Sequence, residues 1–211
     1  MAVAVVASLA ACGSKSLVEN FTSKITAADF QASGPVSGTL NVTVSGQKVD
    51  ATFGGTLKVK GKDSSMTMST TMAGTTSTSD AITIGDTKYD RSNGGDWKKT
   101  TKAASDSNIT SLLASGVTDK GVETHHGQQL HKLDATKAVD PKTFFDATSS
   151  ASMTNVKLSL VFWAKDDGSP AGMTISGTWT QDVNGASADA VMSLDFGFDT
   201  LSGVTIEAPS M

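Results

Sequence analysis

The chain has little with which to staple itself together or to do chemistry. It holds one cysteine in 211 residues, which excludes an intrachain disulfide and any multi-cysteine zinc site. A core must therefore be held by burial alone, and a chain of this length is long enough for that. Aromatics are scarce at 6%, and charged residues make up only 18%. With 38% hydrophobic residues the composition is neither that of a disordered chain nor that of a strongly charged one. The net charge of −4 leaves no basic field to displace counterions from phosphates, so no nucleic-acid partner is expected. No stretch reaches the ~18 to 20 apolar residues that cross a bilayer as a helix. No internal repeat of fixed period is present. No G-x-S-x-G elbow and no phosphate-binding GK[ST] loop occurs, and no nucleophile, base and orienting group can be assembled. The sequence does not read as that of an enzyme, and no cofactor is expected.

What is there begins with the lone cysteine. Residues 2–12 form the longest apolar run, built of Ala, Val, Leu and one Ser, and Cys12 ends it. This is the composition of the apolar part of a secretory signal. Leu9-Ala10-Ala11-Cys12 resembles the lipobox of bacterial lipoproteins, in which the peptide is cut before the cysteine and the thiol carries the lipid. Gly13-Ser14-Lys15-Ser16 then reads as a flexible tether. The resemblance implies a signal peptide over 1–11, a lipidated Cys12 with its tether over 12–16, and one domain over 17–211. No Lys or Arg precedes Cys12, and a signal normally opens with basic residues, so a start upstream of Met1 is expected. The competing reading is a short buried helix with an inert core thiol.

Beyond the tether, Leu17, Val18, Phe21 and Ile25 share one face of an amphipathic helix over 17–28. The period then changes to two. Leu40, Val42 and Val44 alternate with polar residues, as do Val49, Ala51 and Phe53, then Leu57 and Val59. Gly54-Gly55 inside such a run predicts a bulge or a strong bend. Met66, Met68 and Met72 share one parity, so the Ser/Thr-rich stretch 64–79 is expected to be a strand. Gly85-Asp86 and Asn93-Gly94-Gly95 are tight turns on either side of Tyr89. Helices are expected over 105–115, with Ile109, Leu112 and Leu113 on one face, and after Asp140-Pro141, with Phe144 and Phe145 inside. Residues 117–135 read as a strand pair or one long strand. Three more strands follow, through Leu158 and Leu160, through Met173 and Ile175, and through Met192 and Leu194. The sum is about nine to eleven antiparallel strands with two or three inserted helices, not the alternation of a parallel α/β sheet.

The polar candidates are few. His125, His126 and His131 fall within seven residues. On a strand, His125 and His126 point to opposite faces and cannot chelate together without a bulge, which Gly127 could supply; structural or solvent-facing histidines are expected, and no metal site. Asp166-Asp167 and Asp195 with Asp199 are acidic pairs, and an acid/base pair must face one cleft; Asp166-Asp167 precedes Gly-Ser-Pro and reads as turn chemistry. The methionines are the remaining oddity, because a flexible thioether suits both a surface that accepts variable acyl chains and an irregular core.

The order of these segments resembles the LolA-like lipoprotein carriers, and most closely the mycobacterial LppX/LprG type. The resemblance runs over nearly the whole chain after Cys12. It rests on the hairpin Ile84-Gly85-Asp86-Thr87-Lys88-Tyr89 followed by Asp96-Trp97-Lys98-Lys99, on Gly121-Val122-Glu123-Thr124-His125-His126-Gly127, on the Asp140-Pro141 helix, and on closing strands that end near Ala208-Pro209. It implies a mainly β (α+β) fold: a strongly curved antiparallel sheet forming an incomplete barrel, with a few helices over the concave face. It also implies an extracytoplasmic place in a bacterial cell envelope, and a cavity for an acylated lipid or the acyl chains (palmitate, for example) of a lipoprotein. The cavity would be lined by Met66, Met68, Met72, Leu158, Leu160, Met173, Ile175, Met192 and Leu194 from the strands. Phe21, Ile25, Leu112, Leu113, Phe144 and Phe145 would close it from the helices. The alternative on the same fold is an envelope sensor or interaction module with a filled concavity and a protein partner.

Overall fold

The computed structural model describes residues 15–101, 116–136, 152–183 and 185–210. It opens with α1 (Leu17–Ile25), whose start is set by a capping box. The Glu19 backbone N–H donates to Ser16 Oγ at 3.2 Å, and the Ser16 N–H donates to Glu19 Oε2 at 2.7 Å. Eleven strands follow: β1 (Gln31–Val44), β2 (Gln47–Lys60), β3 (Asp63–Met72), β4 (Thr75–Ile84), β5 (Thr87–Ser92), β6 (Lys98–Thr101), β7 (Val117–His125), β8 (Gln128–Ala135), β9 (Met153–Ala164), β10 (Pro170–Val183) and β11 (Ala186–Gly197). All belong to one antiparallel sheet in the order β6-β5-β4-β3-β2-β1-β11-β10-β9-β8-β7. The sheet is thus two meanders, β1 to β6 and β7 to β11, joined along a single seam where β1 pairs with β11. Its two ends do not pair, so the curved sheet stays an open barrel.

Most connections are tight two-residue turns. Ser45-Gly46, with φ of 50° and 80°, joins β1 to β2, and Ala73-Gly74, at 48° and 79°, joins β3 to β4. The stretch 64–79 is therefore a hairpin and not one strand. An alanine is an unusual occupant of a left-handed position, which is why no turn is legible there. Gly54-Gly55 makes a bend and not a bulge, because the register of β2 with both neighbours runs through it without a shift. A Cβ on Gly55 would lie 2.0 Å from the Thr67 carbonyl oxygen, and one on Gly38 would lie 2.3 Å from that of Ser193. Only hydrogen fits where the neighbouring strands fold over these positions, and this is how the sheet acquires its curvature.

Two faces result. Across the first runs the register row Met68, Gly55, Val36, Phe196, Met173, Phe162 and Leu133, one residue from each of seven strands. Val36, Met173, Phe162 and Leu133 are no more than 2% exposed. Helix α1 lies on this face, with Phe21 and Ile25 fully buried and the Phe21 ring 5.4 Å from that of Phe162. The 165–170 turn holds α1 down. Lys24 Nζ donates to the Asp167 carbonyl at 3.0 Å and to Ser169 Oγ at 2.8 Å.

Candidate functional site

The strand residues singled out by parity fall on that same face. Met68 and Met173 share the row just described. Leu194, Ile175 and Leu160 lie in the next row, with Gly38 and Phe53. Met72, Met192 and Leu158 lie in the one after, with Ala51, Leu40 and Gly177. Met66 stands opposite Leu57. Their environments differ, however. Leu160, Met173, Ile175 and Met192 belong to the buried cluster that also contains Phe21 and Ile25. Met66 and Leu194 are half-buried against that cluster, and Met68 and Leu158 are also half-buried. Met72, next to the β3–β4 turn, is 52% exposed and lies outside the cluster. Cys12, Leu112, Leu113, Phe144 and Phe145 lie outside the described residues, as do both later expected helices. Tyr89 stands opposite Ile82, whereas Ala81 is the β4 residue that stands opposite Met66, so the Tyr89 side chain belongs to the other face. Among the described residues no helix is long and apolar enough to cross a membrane.

The opposite, convex face carries a polar cluster. The β7–β8 hairpin turns through His126-Gly127, with φ of 47° and 75°, between the paired residues His125 and Gln128. This is the geometry of a type I′ turn. His126 is thus a turn residue, and the strand parity that would separate it from His125 does not apply. The tip folds over the convex row Ser37, Asp195, Thr174 and Val161. His125 Nε2 lies 3.2 Å from Asp195 Oδ1, and His126 Nε2 contacts Asp195 Oδ2. The carboxylate is held in turn through Oδ1, the oxygen that faces His125. Thr174 Oγ1 donates to Asp195 Oδ1 at 2.6 Å and accepts from Trp163 Nε1–H at 2.8 Å. The His125 ring stacks on Trp163 at 4.0 Å between centroids and 7° between planes. Burial pushes the His125 imidazole below its ordinary pKa, against the attraction of Asp195. Beside the cluster lies a pocket of about 390 Å³ walled by Pro35, Ser37, Gln128, Lys165, Phe198 and Asp199.

His131 takes no part. Its Nδ1 lies 3.0 Å from Asp119 and its Nε2 lies 3.4 Å from Asp166. Asp167 is a turn residue: its carboxylate accepts from the Ser169 N–H and hydroxyl, both at 2.8 Å. The parts that sequence reasoning missed are Trp163, Thr174 and the meeting of Asp195 with the two histidines, because in sequence Asp195 pairs with Asp199 instead. The one local signal was the His-Gly pair at a turn between two alternating segments.

The described chain is an open, strongly curved antiparallel sheet with one apolar face, a short helix on that face, and a polar cluster on its back. No family model matches the sequence, and no curated protein matches it. Among solved structures it is similar to LprF from Mycobacterium bovis, at 14% identity, with 92% of this chain and 97% of that chain covered and a TM-score of 0.42. It is also similar to a DUF1329 family protein from Desulfovibrio piger, at 10% identity, with 89% and 96% covered and a TM-score of 0.34. Likeness at this level concerns the course of the chain and brings no ligand with it.

Proposed function

We propose that this chain is a lipid-binding protein of a bacterial cell envelope, tethered through a lipidated Cys12 and working without catalysis. Its ligand is an acylated lipid or the acyl chain of a lipoprotein, held for transport or presentation against the apolar face. The observation that carries this reading is the face on which the row from Met68 to Leu133 crosses seven strands of an open sheet, with shorter apolar rows beside it and flexible methionines at the β3 side. Such a surface needs no polar anchor, because each buried CH₂ contributes roughly 0.8 kcal/mol. Thioethers adapt to chains of different shape.

The test is uptake of a fluorescent fatty acid by the full chain, with native mass spectrometry for co-purified lipid. Met68→Trp fills the half-buried end of the face, and Val191→Trp, on the exposed back of β11, is the control. The expected result is a loss of about tenfold in uptake for Met68→Trp alone, equal to ~1.4 kcal/mol. Equal uptake by both variants places the chain elsewhere. A wild type that takes up no probe leaves the sensor or interaction module ahead. One observation favours that second reading: under α1 the face is closed, with Phe21, Ile25 and Phe162 at 0% exposure. Anchoring is tested separately. Cys12→Ala, expressed behind a complete signal, moves the protein out of the detergent phase, and an unchanged partition removes the lipid anchor from the reading.

A further inference from the structure

The polar cluster on the back of the sheet has no role in holding an acyl chain. Its donor atoms are two imidazole nitrogens and a carboxylate oxygen, and one atom from each of His125, His126 and Asp195 lies within 4.8 Å of the others. A tetrahedral ion with ligands at ~2.0 to 2.2 Å sets its donors ~3.3 Å apart. The 3.2 Å between His125 Nε2 and Asp195 Oδ1 already matches that spacing. We propose that His125, His126 and Asp195 form a three-ligand site for a borderline first-row divalent cation, zinc being the best fit, that pins the β7–β8 tip to β11. The fourth position opens to the adjoining pocket.

Three features beyond the ligands support a built site. The Trp163–Thr174–Asp195 chain orients the carboxylate through Oδ1, the oxygen that also faces His125, as the outer partners of metal ligands do. Trp163 fixes the plane of the His125 ring by stacking. The side chain of His126 is 61% exposed while those of His125 and Asp195 are 18% and 15% exposed, so two ligands are held in place and the third stands at the entrance. Imidazole with carboxylate selects zinc, copper or nickel over calcium and magnesium, which prefer all-oxygen shells.

The experiment uses the full chain without a histidine tag, stripped with chelator, then titrated with Zn²⁺ by calorimetry and with Co²⁺ by visible absorption. One ion per chain is expected, with the d–d bands of a four- or five-coordinate Co²⁺ site. His126→Asn is the decisive variant. Asn-Gly is the preferred pair for a type I′ turn, so the hairpin keeps its shape while an imidazole ligand is lost. This variant and Asp195→Asn each weaken Zn²⁺ binding tenfold or more, Thr174→Val weakens it about tenfold, and His131→Asn leaves it unchanged. A wild type that binds no stoichiometric ion overturns the proposal. So does full affinity in both His126→Asn and Asp195→Asn, or loss of binding in His131→Asn, which moves the ion to the neighbouring histidine. Lipid uptake is a separate readout, and its outcome leaves this one untouched.

Discussion

On the concave face, side chains from seven strands meet because every second residue of each strand points the same way. On the convex face, two histidines at a hairpin tip meet an aspartate from a strand far along the chain. The first arrangement is periodic, redundant and apolar. The second depends on a few polar atoms and on one turn. Stability should follow the first face and ion binding the second, and variants that cross this division would break it.

The largest expected effect is on the concave face. Phe162→Ala removes a ring at 0% exposure that packs on Phe21, and should cost about 3 to 5 kcal/mol in urea unfolding. Folded Phe162→Ala should still bind Zn²⁺, since the ring lies on the other side of the sheet. Next come the glycines. Gly55→Ala drives a methyl group into the Thr67 carbonyl and should cost about 1 to 3 kcal/mol. A Cβ on the adjacent Gly54 meets nothing within 4 Å, so Gly54→Ala should leave the urea midpoint nearly unchanged. Equal effects at the two positions would mean that curvature is not set by the concave glycine. On the convex face, Asp195→Ala leaves Thr174 and two imidazoles without their acceptor and should cost about 1 to 2 kcal/mol in metal-free protein.

The smallest effect is on pH dependence at the edge of the concave face. The backbone and hydroxyl of Ser169, then Lys24, lower the Asp167 carboxyl to about 2. The folded value lies below the unfolded one, so its stabilisation is complete above about pH 4 and fades as pH falls toward 2. The group is exposed, and screening keeps the gain small. The melting temperature of Asp167→Asn should lie slightly below that of wild type at pH 5, and the gap should shrink as pH falls toward 2. A larger gap at low pH than at pH 5 would contradict this sign.

The concave face was legible because alternation is local: Met66, Met68, Met173 and Ile175 each declare their side by parity with their neighbours. The turn at Ala73-Gly74 was not, since alanine carries no turn signal. The histidine cluster escaped for two reasons. The parity argument assumed that His126 lies on a strand, whereas the turn begins there. Its partner Asp195 reads in sequence only as half of an acidic pair with Asp199, and no local pattern links it to residue 126. Periodicity reveals what a sheet buries, and it is silent about what folds across the back of the sheet.

The single seam between the two meanders bears on how the chain folds. Within each meander, neighbouring strands are joined by short connections at most positions and can pair early. The seam instead brings Val36 against Phe196 and Val44 against Ala188, from opposite ends of the chain. Loop-closure entropy is concentrated in this one ladder, and contacts of such long range slow folding. Gly38 sits within it, where a Cβ would lie 2.3 Å from the Ser193 carbonyl oxygen, so this long-range ladder also leaves no room for a side chain there. Until it closes, β1 and β11 are unprotected edges with alternating apolar side chains, the condition in which a β-rich chain is most open to pairing with another copy of itself.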